Sequence, residues 1–501
     1  MGSRGFCVHG AVLRGISAVP VTVEVDLAGG IPGITIVGMP DAAVLEARSR
    51  VRCALRACDF EIPRLHITVN LAPSDVRKQG TGLDLAMATA ILAATAQIPA
   101  SGLDGSLFVG ELGLDGAVSP VRGDVAYALL ARDEGLDLAG HLGSWCASEV
   151  GVKLRRIETL SQLKAGLARV AEVGSPNMPE RMTDPASTTD FSDVIDQELA
   201  KRACVIASAG RLGLLMVGPP GAGKTMLARR MPQVLPPLVG EERLQALLVH
   251  SVAGLDGSAL MRGERPFRAP HHSVSTAGLI GGGRPVVPGE ISLAHGGVLF
   301  LDEMPEFGPG SLQALRQPLE DGEVRIVRVD GTYTFPCDFQ LVAAANPCPC
   351  GYLGDPDHPC TCGEADIHRY RGRIGGPLLD RIDLAIAMAR PSSERIIRGQ
   401  EGLGTREMCE LVSRARAFAA ERERHVPEGA GRGSAGPLSG LSFSRSVRAT
   451  LEGMAARLAL GGRAIARVAR VARTVGDVEC HPEVTSDDVA EAMGFRTGAI
   501  S

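Results

Sequence analysis

Eight consecutive residues carry the strongest chemical signal in this 501-residue chain, GPPGAGKT at 218–225. Gly218, Pro219, Pro220, Gly221, Ala222 and Gly223 form a turn of small or ring-closed residues whose backbone N–H groups can curl round a phosphate chain. Lys224 can reach the β- and γ-phosphates, and the Thr225 hydroxyl can ligate Mg²⁺. The apolar run LGLLMV precedes this turn and the helical MLARRMP follows it, the strand–turn–helix context such a loop needs. Two later strand ends supply the rest of a phosphoryl-transfer site. GGVLFLDE (296–303) ends in Asp302, which can hold the Mg²⁺ shell, and Glu303, which can polarise an attacking water. FQLVAAANP (339–347) ends in Asn346, able to position that water or the γ-phosphate, although Asn before Pro347 is also an ordinary turn. Phosphate, metal, base and sensor together describe an ATPase rather than a passive nucleotide binder.

A second cluster hangs from the third of these strands. NPCPCGYLGDPDHPCTCG (346–363) brings Cys348, Cys350, Cys360 and Cys362 together as two C-x-C pairs across a turn-rich gap. Four thiolates can hold a tetrahedral Zn²⁺, though C-x-C is tighter than the usual C-x₂-C. Free or redox-active thiols and an iron–sulfur cluster remain open readings. Twelve cysteines without a secretory segment point to reduced thiols, so a structural disulfide pair is disfavoured.

The elements that must position these groups fall into three regions. Residues 1–172 alternate β-type runs (VTVEVDL, GITIVGM, HITVNLAP) with helical ones (AVLEARSRVRCALRAC, LDLAMATAILAATA), which predicts a mixed α/β module. The Pro-, Ser- and Thr-rich stretch 173–190 reads as a linker. Over 191–390, short apolar strands alternate with helices, predicting a parallel sheet covered by helices. Residues 391–501 lack strand runs and read as a helical lid, interrupted by PEGAGRGSAGPLSG at 427–440. The fold class expected is therefore α/β and multidomain. A net charge of −5 gives the whole molecule no pull toward nucleic acid, so any such surface must be local. The N-terminal residues have no apolar run of signal length, and AMATAILAATAQIP (86–99) is too short to cross a bilayer. A cytoplasmic protein with no membrane partner is expected.

The order GPPGAGKT, VLFLDE, AAANP, LLDRIDL resembles the magnesium-chelatase-like branch of the AAA+ ATPases. Within it, FRAPHHSVSTAGLIGGGRPVVPGEISLAHGGVLFLDE (267–303) is similar to the competence-associated YifB/ComM group, and the likeness runs over nearly the whole chain. The resemblance implies a homohexameric ring that uses ATP and Mg²⁺ to move on single-stranded or branched DNA, as a helicase or branch-migration motor. It makes Arg381 in LLDRIDL an arginine finger offered to a neighbouring subunit. It also makes Arg463 a nucleotide-reporting lid arginine, on one helical face with Arg467, Arg470 and Arg473. A chelatase motor and a protein-remodelling ring are the competing readings.

Residues 262–284 gather Arg262, Arg265, Arg268, His271, His272 and Arg284 round GLIGGG, a run too mobile for a core. A basic, glycine-hinged loop suits sequence-independent phosphate contact, with DNA expected at Arg268, His271, His272 and Arg284. Neighbouring side chains on a regular element point apart, which argues against His271 and His272 as a joint metal site. The front module resembles the proteolytic domain of Lon, yet Gly82 stands where the nucleophilic serine would lie and Val125 where the lysine would. A one-residue slip offers Thr81 but no lysine. A Ser–Lys dyad needs both partners, so this module is expected to bind or assemble rather than cleave.

Overall fold

The computed structural model describes residues 6–174, 189–329, 331–373, 376–379, 381–398, 402–424 and 443–497. Most of the expected linker and the 427–440 interruption lie outside the described residues.

The front body is built on an eight-stranded sheet in the order β10-β9-β8-β5-β1-β2-β4-β3. Its strands are β1 (Phe6–Arg14), β2 (Ser17–Ala28), β3 (Gly33–Val37), β4 (His66–Ala72), β5 (Ser106–Val109), β8 (Asp137–Gly140), β9 (Leu154–Arg156) and β10 (Glu172–Val173); β6 (Glu111–Leu112) and β7 (Val118–Ser119) form a separate ribbon. Helix α1 (Ala42–Ala57) starts where Asp41 accepts the Val44 N–H at 2.9 Å. Its buried Val44, Ala47, Val51, Ala54 and Leu55 recur at helical spacing, so one stripe faces the sheet. Helix α2 (Asp84–Ala94) is apolar all round and buried from Asp84 to Leu92, as a core helix must be. Asp84 survives there because the Arg50 guanidinium grips its carboxylate at 2.6 and 3.0 Å. Helix α3 (Asp124–Asp133) closes the far side.

The second body carries a five-stranded, all-parallel sheet, β12-β15-β18-β11-β19. Its strands are β11 (Leu214–Val217), β12 (Phe267–Arg268), β15 (Val298–Leu301), β18 (Gln340–Ala345) and β19 (Leu384–Ala387), with small ribbons β13 (Gly281–Gly282)–β14 (Val287–Pro288) and β16 (Glu323–Arg328)–β17 (Gly331–Pro336). β15 and β18 are buried along their whole length, the continuous apolar pattern of a sheet covered on both faces. Helices α4 (Glu198–Gly210) and α5 (Lys224–Val234) pack on this sheet, whereas α6 (Gly240–Ala253) packs against α3 of the front body and α7 (Glu364–Arg373), largely exposed but for Tyr370, lies against the turn after β15. The C-terminal part supplies α8 (Thr405–Arg424), α9 (Arg445–Arg457), α10 (Gly462–Val478) and α11 (Ser486–Thr497), and its apolar faces share one core with α4 and α5. No helix among the described residues is long and apolar enough to cross a membrane.

The two sheets are joined. The Gly123 N–H donates to the Ser251 carbonyl at 2.8 Å and Arg243 grips Glu149 at 2.7 Å, so α6 is bound to the front body. The turn between β1 and β2 meets the other ribbon, where Tyr333 on β17 lies against Gly15.

Candidate functional site

Parallel sheets bind ligands at the carboxyl ends of their strands, and the three sequence signals converge there. The phosphate loop leaves β11, Asp302 and Glu303 leave β15, and Asn346 leaves β18, together lining a cavity of about 350 Å³. Gly218 is required because a Cβ there would stand 2.5 Å from the Met388 carbonyl. Gly223 enters α5 at φ 88°, in the left-handed region that a side chain disfavours.

Lys224 Nζ donates to the carbonyls of Gly218 and Pro219 and, at 3.1 Å, to Asn346 Oδ1, so two of the predicted groups touch directly. Burial lowers this ammonium to about 8 despite the opposing pull of Asp302 and Glu303, and an incoming phosphate would raise it again. Thr225 Oγ1 donates to Asp302 Oδ2 at 2.8 Å, so the two side chains expected to hold Mg²⁺ stand side by side. Glu303 holds a left-handed backbone at φ 49° while its N–H donates to Asp302 Oδ1. A non-glycine residue in that region stores strain of roughly 1–3 kcal/mol, which is tolerated where a side chain must be aimed.

Arg381 and Arg463 do not line this cavity. Arg381 pairs with Glu320, while burial and the nearby Arg463, Arg316 and Arg467 hold its guanidinium below the usual arginine range. Arg467 is buried and donates to the carbonyls of Leu379 and Ile382, and Arg470 pairs with Asp383 at 3.2 Å. Arg473 turns away to Asp477 and the carbonyls of His481 and Pro482, whereas Arg463 stays exposed.

The basic loop departs from expectation. Arg268 is held by Glu290 in a two-point grip at 2.6 and 2.7 Å, Arg265 by Glu242, and Arg262 by Glu264, so most of its charge is neutralised internally. GLIGGG is no mobile run: Leu279 is fully buried, and Gly281 and Gly282 pair with β14. Phe267 stacks on Phe300 inside the core. His271 and His272 do not point apart, because they sit in a turn rather than a regular element. Their rings lie 4.0 Å apart between centroids, His271 bonds Ser273, and His272 stands 3.8 Å from Glu303. Only Arg284 projects freely, at the exposed turn after β13.

The four cysteines do converge. Cys348, Cys350 and Cys360 place their sulfurs 3.4–3.6 Å apart, and all four lie within 4.8 Å of one another. A tetrahedral site with Zn–S near 2.3 Å needs sulfurs about 3.8 Å apart, so the donor set fits one Zn²⁺. The same crowding leaves no room for a four-iron cage. N–H groups of Tyr352 and Thr361 pull the Cys350 thiol down to about 6, while the neighbouring sulfurs hold Cys360 and Cys362 up, so a single thiolate forms readily and the others need a cation to join it.

Two residues at the site escape sequence reasoning. Arg390, a lone cation after β19, donates to the Pro220 carbonyl at 3.2 Å, lies over Tyr352 and pairs with Asp355, tying the cysteine loop to the phosphate loop. Tyr370 on α7 is buried, and burial with the nearby Glu306 carboxylate pushes its hydroxyl up to about 12 against the opposing hydrogen bond with the Asn346 backbone. Neither follows a motif spacing.

In the front body, Val125 packs in the core, Gly82 faces the Tyr127 hydroxyl, and Thr81 hydrogen-bonds to Glu111 rather than to an amine.

Family models match three stretches: "Magnesium chelatase, subunit ChlI" over 190–396, "Subunit ChlI of Mg-chelatase" over 23–139, and "Magnesium chelatase, subunit ChlI C-terminal" over 402–496. Lon protease 2 of Bacillus subtilis is 25% identical over 234 residues, 39% of this chain and 40% of that protein. The competence protein ComM of Haemophilus influenzae is 38% identical over 510 residues, covering 98% of this chain and 97% of its own. The uncharacterized protein YifB of Escherichia coli is 37% identical over 513 residues, covering 98% and 96%. A likeness that spans both bodies and the helical C-terminal part, at this identity, makes the chain a member of the YifB/ComM family of magnesium-chelatase-like AAA+ ATPases.

Proposed function

We propose that the protein is a ring-forming ATPase, expected as a homohexamer, that couples ATP hydrolysis to movement on DNA. The observation that carries the ring is the division of the catalytic set. Lysine, magnesium ligands, base and sensor line one cavity, which contains no arginine, while Arg381 and Arg463 gather with Arg316 and Arg467 elsewhere. Beyond Lys224, phosphoryl transfer gains most from an arginine on the developing γ-phosphate charge, and we assign that arginine to a neighbouring copy. Thr225 and Asp302 would hold Mg²⁺, which neutralises the β- and γ-oxygens. Glu303 would then draw the proton from water that Asn346 positions.

The DNA reading rests on a local surface and on ComM being named a competence protein. Arg268 is committed to Glu290, so the contact is assigned to adjoining ribbon turns instead. Arg284 is exposed after β13, and Arg328 on β16 comes within 3.1 Å of a Cβ built on Gly282. Beside them Val327 and Val329 are fully open to solvent or nearly so, small apolar edges that can slip against bases without reading them.

The test is ATP hydrolysis with and without single-stranded, duplex and branched DNA, with Lys224→Ala as blank. Several-fold stimulation by DNA is expected, and Arg284→Glu with Arg328→Glu should reduce the salt dependence of DNA binding by about two phosphate contacts. Hydrolysis indifferent to every DNA would favour a protein-remodelling or chelatase-type ring.

We also propose that Cys348, Cys350, Cys360 and Cys362 hold one structural Zn²⁺. Metal analysis should find one zinc per chain, absent after Cys348→Ser with Cys360→Ser. The 348–362 loop should then become a site of proteolysis, and nucleotide should bind roughly tenfold more weakly, because Arg390 loses the loop that braces it. Purified protein free of metal, with unchanged proteolysis in the double variant, would sink the assignment.

A further inference from the structure

A second cavity, of about 620 Å³, opens between α4, α8 and α10. Arg211, Arg416, Arg422, Arg470 and Arg473 line it, against only two lining carboxylates, Glu423 and Asp477. Between these long cations the walls are small: Ala209 and Gly210 on α4, Ala415, Ala419 and Ala420 on α8. The space is therefore left open rather than filled by packing.

The charges do not balance by pairing. Arg422 and Arg473 both draw on the single Asp477 carboxylate, at 3.1 Å each. Arg470 is half exposed and leans on Asp383, outside the cavity lining, and Arg211 leans outward on Asp338 and Glu242. Arg416 has no carboxylate partner among the described residues. Its Nε and Nη2 both donate to one carbonyl, that of Ser208, at 3.2 and 2.6 Å. Burial, with repulsion from Arg265 and Arg211 and only a smaller opposing pull from Glu242, lowers its guanidinium to about 10, a large departure for this side chain. A network serving stability alone would give that cation an acid, because an unpaired charge out of water is costly. A bound anion would relieve both the desolvation and the mutual repulsion.

We propose that this cavity is a second ligand site, taking a multiply charged phosphate group through the N–H donors of Arg416 and Arg470, whereas the Arg422 fork is committed to Asp477 in a two-point grip. Planar guanidinium forks match phosphate oxygens two at a time, and nothing aromatic lines the cavity to hold a base, so the phosphate alone is recognised. The group could belong to a small phosphorylated molecule or to a nucleic-acid backbone. The cavity sits at the amino end of β11, the end opposite the phosphate loop. Its wall α10 also carries Arg467, which holds the carbonyls flanking Arg381. An occupant would thus steady α10 against the Arg381 segment. Binding here does not depend on the motor reading and would occur whether or not DNA stimulates hydrolysis.

The test titrates tripolyphosphate into full-length protein whose first site is saturated with ADP and Mg²⁺, read by calorimetry. A second saturable event is expected, weakened at least about tenfold in Arg416→Gln and in Arg470→Gln, with ADP binding unchanged in both. Displacement of tripolyphosphate by a single-stranded oligonucleotide would assign the group to a nucleic-acid backbone, and failure to displace it to a small molecule. The absence of a second event, or one equally tight in both variants, overturns the site. If a variant loses ADP binding through misfolding, a structure of the unaltered protein with tripolyphosphate decides: phosphate oxygens on Arg416 uphold the site, and an empty cavity at saturation overturns it.

Discussion

Arg381→Ala is expected to leave ATP binding nearly intact and to cut hydrolysis by about 10³-fold or more, the scale on which an arginine supplied across an interface acts. Arg381 lies with Arg463, Arg316 and Arg467, outside the cavity formed by Gly218–Thr225, Asp302, Glu303 and Asn346. Within one chain its loss should therefore hardly disturb nucleotide binding. Its present partner, Glu320, is a place to rest: the pair is half exposed, and exposed ion pairs are worth little. A phosphate presented by a neighbour can take the guanidinium from it. The decisive measurement mixes Arg381→Ala with Lys224→Ala. Each is inactive alone, but a mixed ring contains interfaces where an intact phosphate loop meets an intact arginine, so part of the activity should return. If mixing restores nothing, or if Arg381→Ala abolishes ATP binding itself, the assignment across an interface fails.

Glu303→Gln should lower kcat by about 10²–10⁴-fold, the range for losing a general base, with little change in KM. Gln keeps the volume and the hydrogen-bonding reach of Glu but cannot accept the proton of the attacking water. The strained backbone at Glu303 is set by Asp302 and the close of β15, so the variant should fold and keep the Thr225–Asp302 contact. ATP should then accumulate on the protein, trapping its nucleotide-bound state. His272 stands 3.8 Å from this carboxylate. Its replacement by Ala should have a far smaller effect than Glu303→Gln. Equal hydrolysis by Glu303→Gln and the unaltered protein would mean that another group is the base.

What the sequence made legible was local. Lys224 and Thr225 are readable because a phosphate loop needs small residues, a strand before it and a helix after it, all within a dozen positions. Asp302 and Asn346 are readable because each ends an apolar strand. The cysteine set is readable because its four members lie within fifteen residues. The 262–284 loop misled because its charge is settled by distant partners. Glu290 answers Arg268 from 22 positions away and Glu242 answers Arg265 from 23, and no spacing rule reports such pairs. The same holds for the cavity arginines, drawn from α4, α8 and α10. That His272 lies beside Glu303 is likewise not readable from spacing, since only the turn after β12 decides which way it faces. That Gly82 and Val125 are neither serine nor lysine, by contrast, is readable directly, because each is a matter of one side chain.

The front body is fastened to the core at two separated points. Hydrogen bonds and an ion pair tie it to α6, and its β1–β2 turn rests on the β16–β17 ribbon, where Gly15 meets Tyr333 and the Arg14 guanidinium reaches Gly331. A lever held at two places cannot swing freely about either. The ribbon that bears Arg328 therefore has a backstop: force applied to its tip is passed into an eight-stranded sheet instead of being dissipated in a bending stalk. Braced in this way, the ribbon tip is stiffened by a second sheet rather than by its own two strands alone.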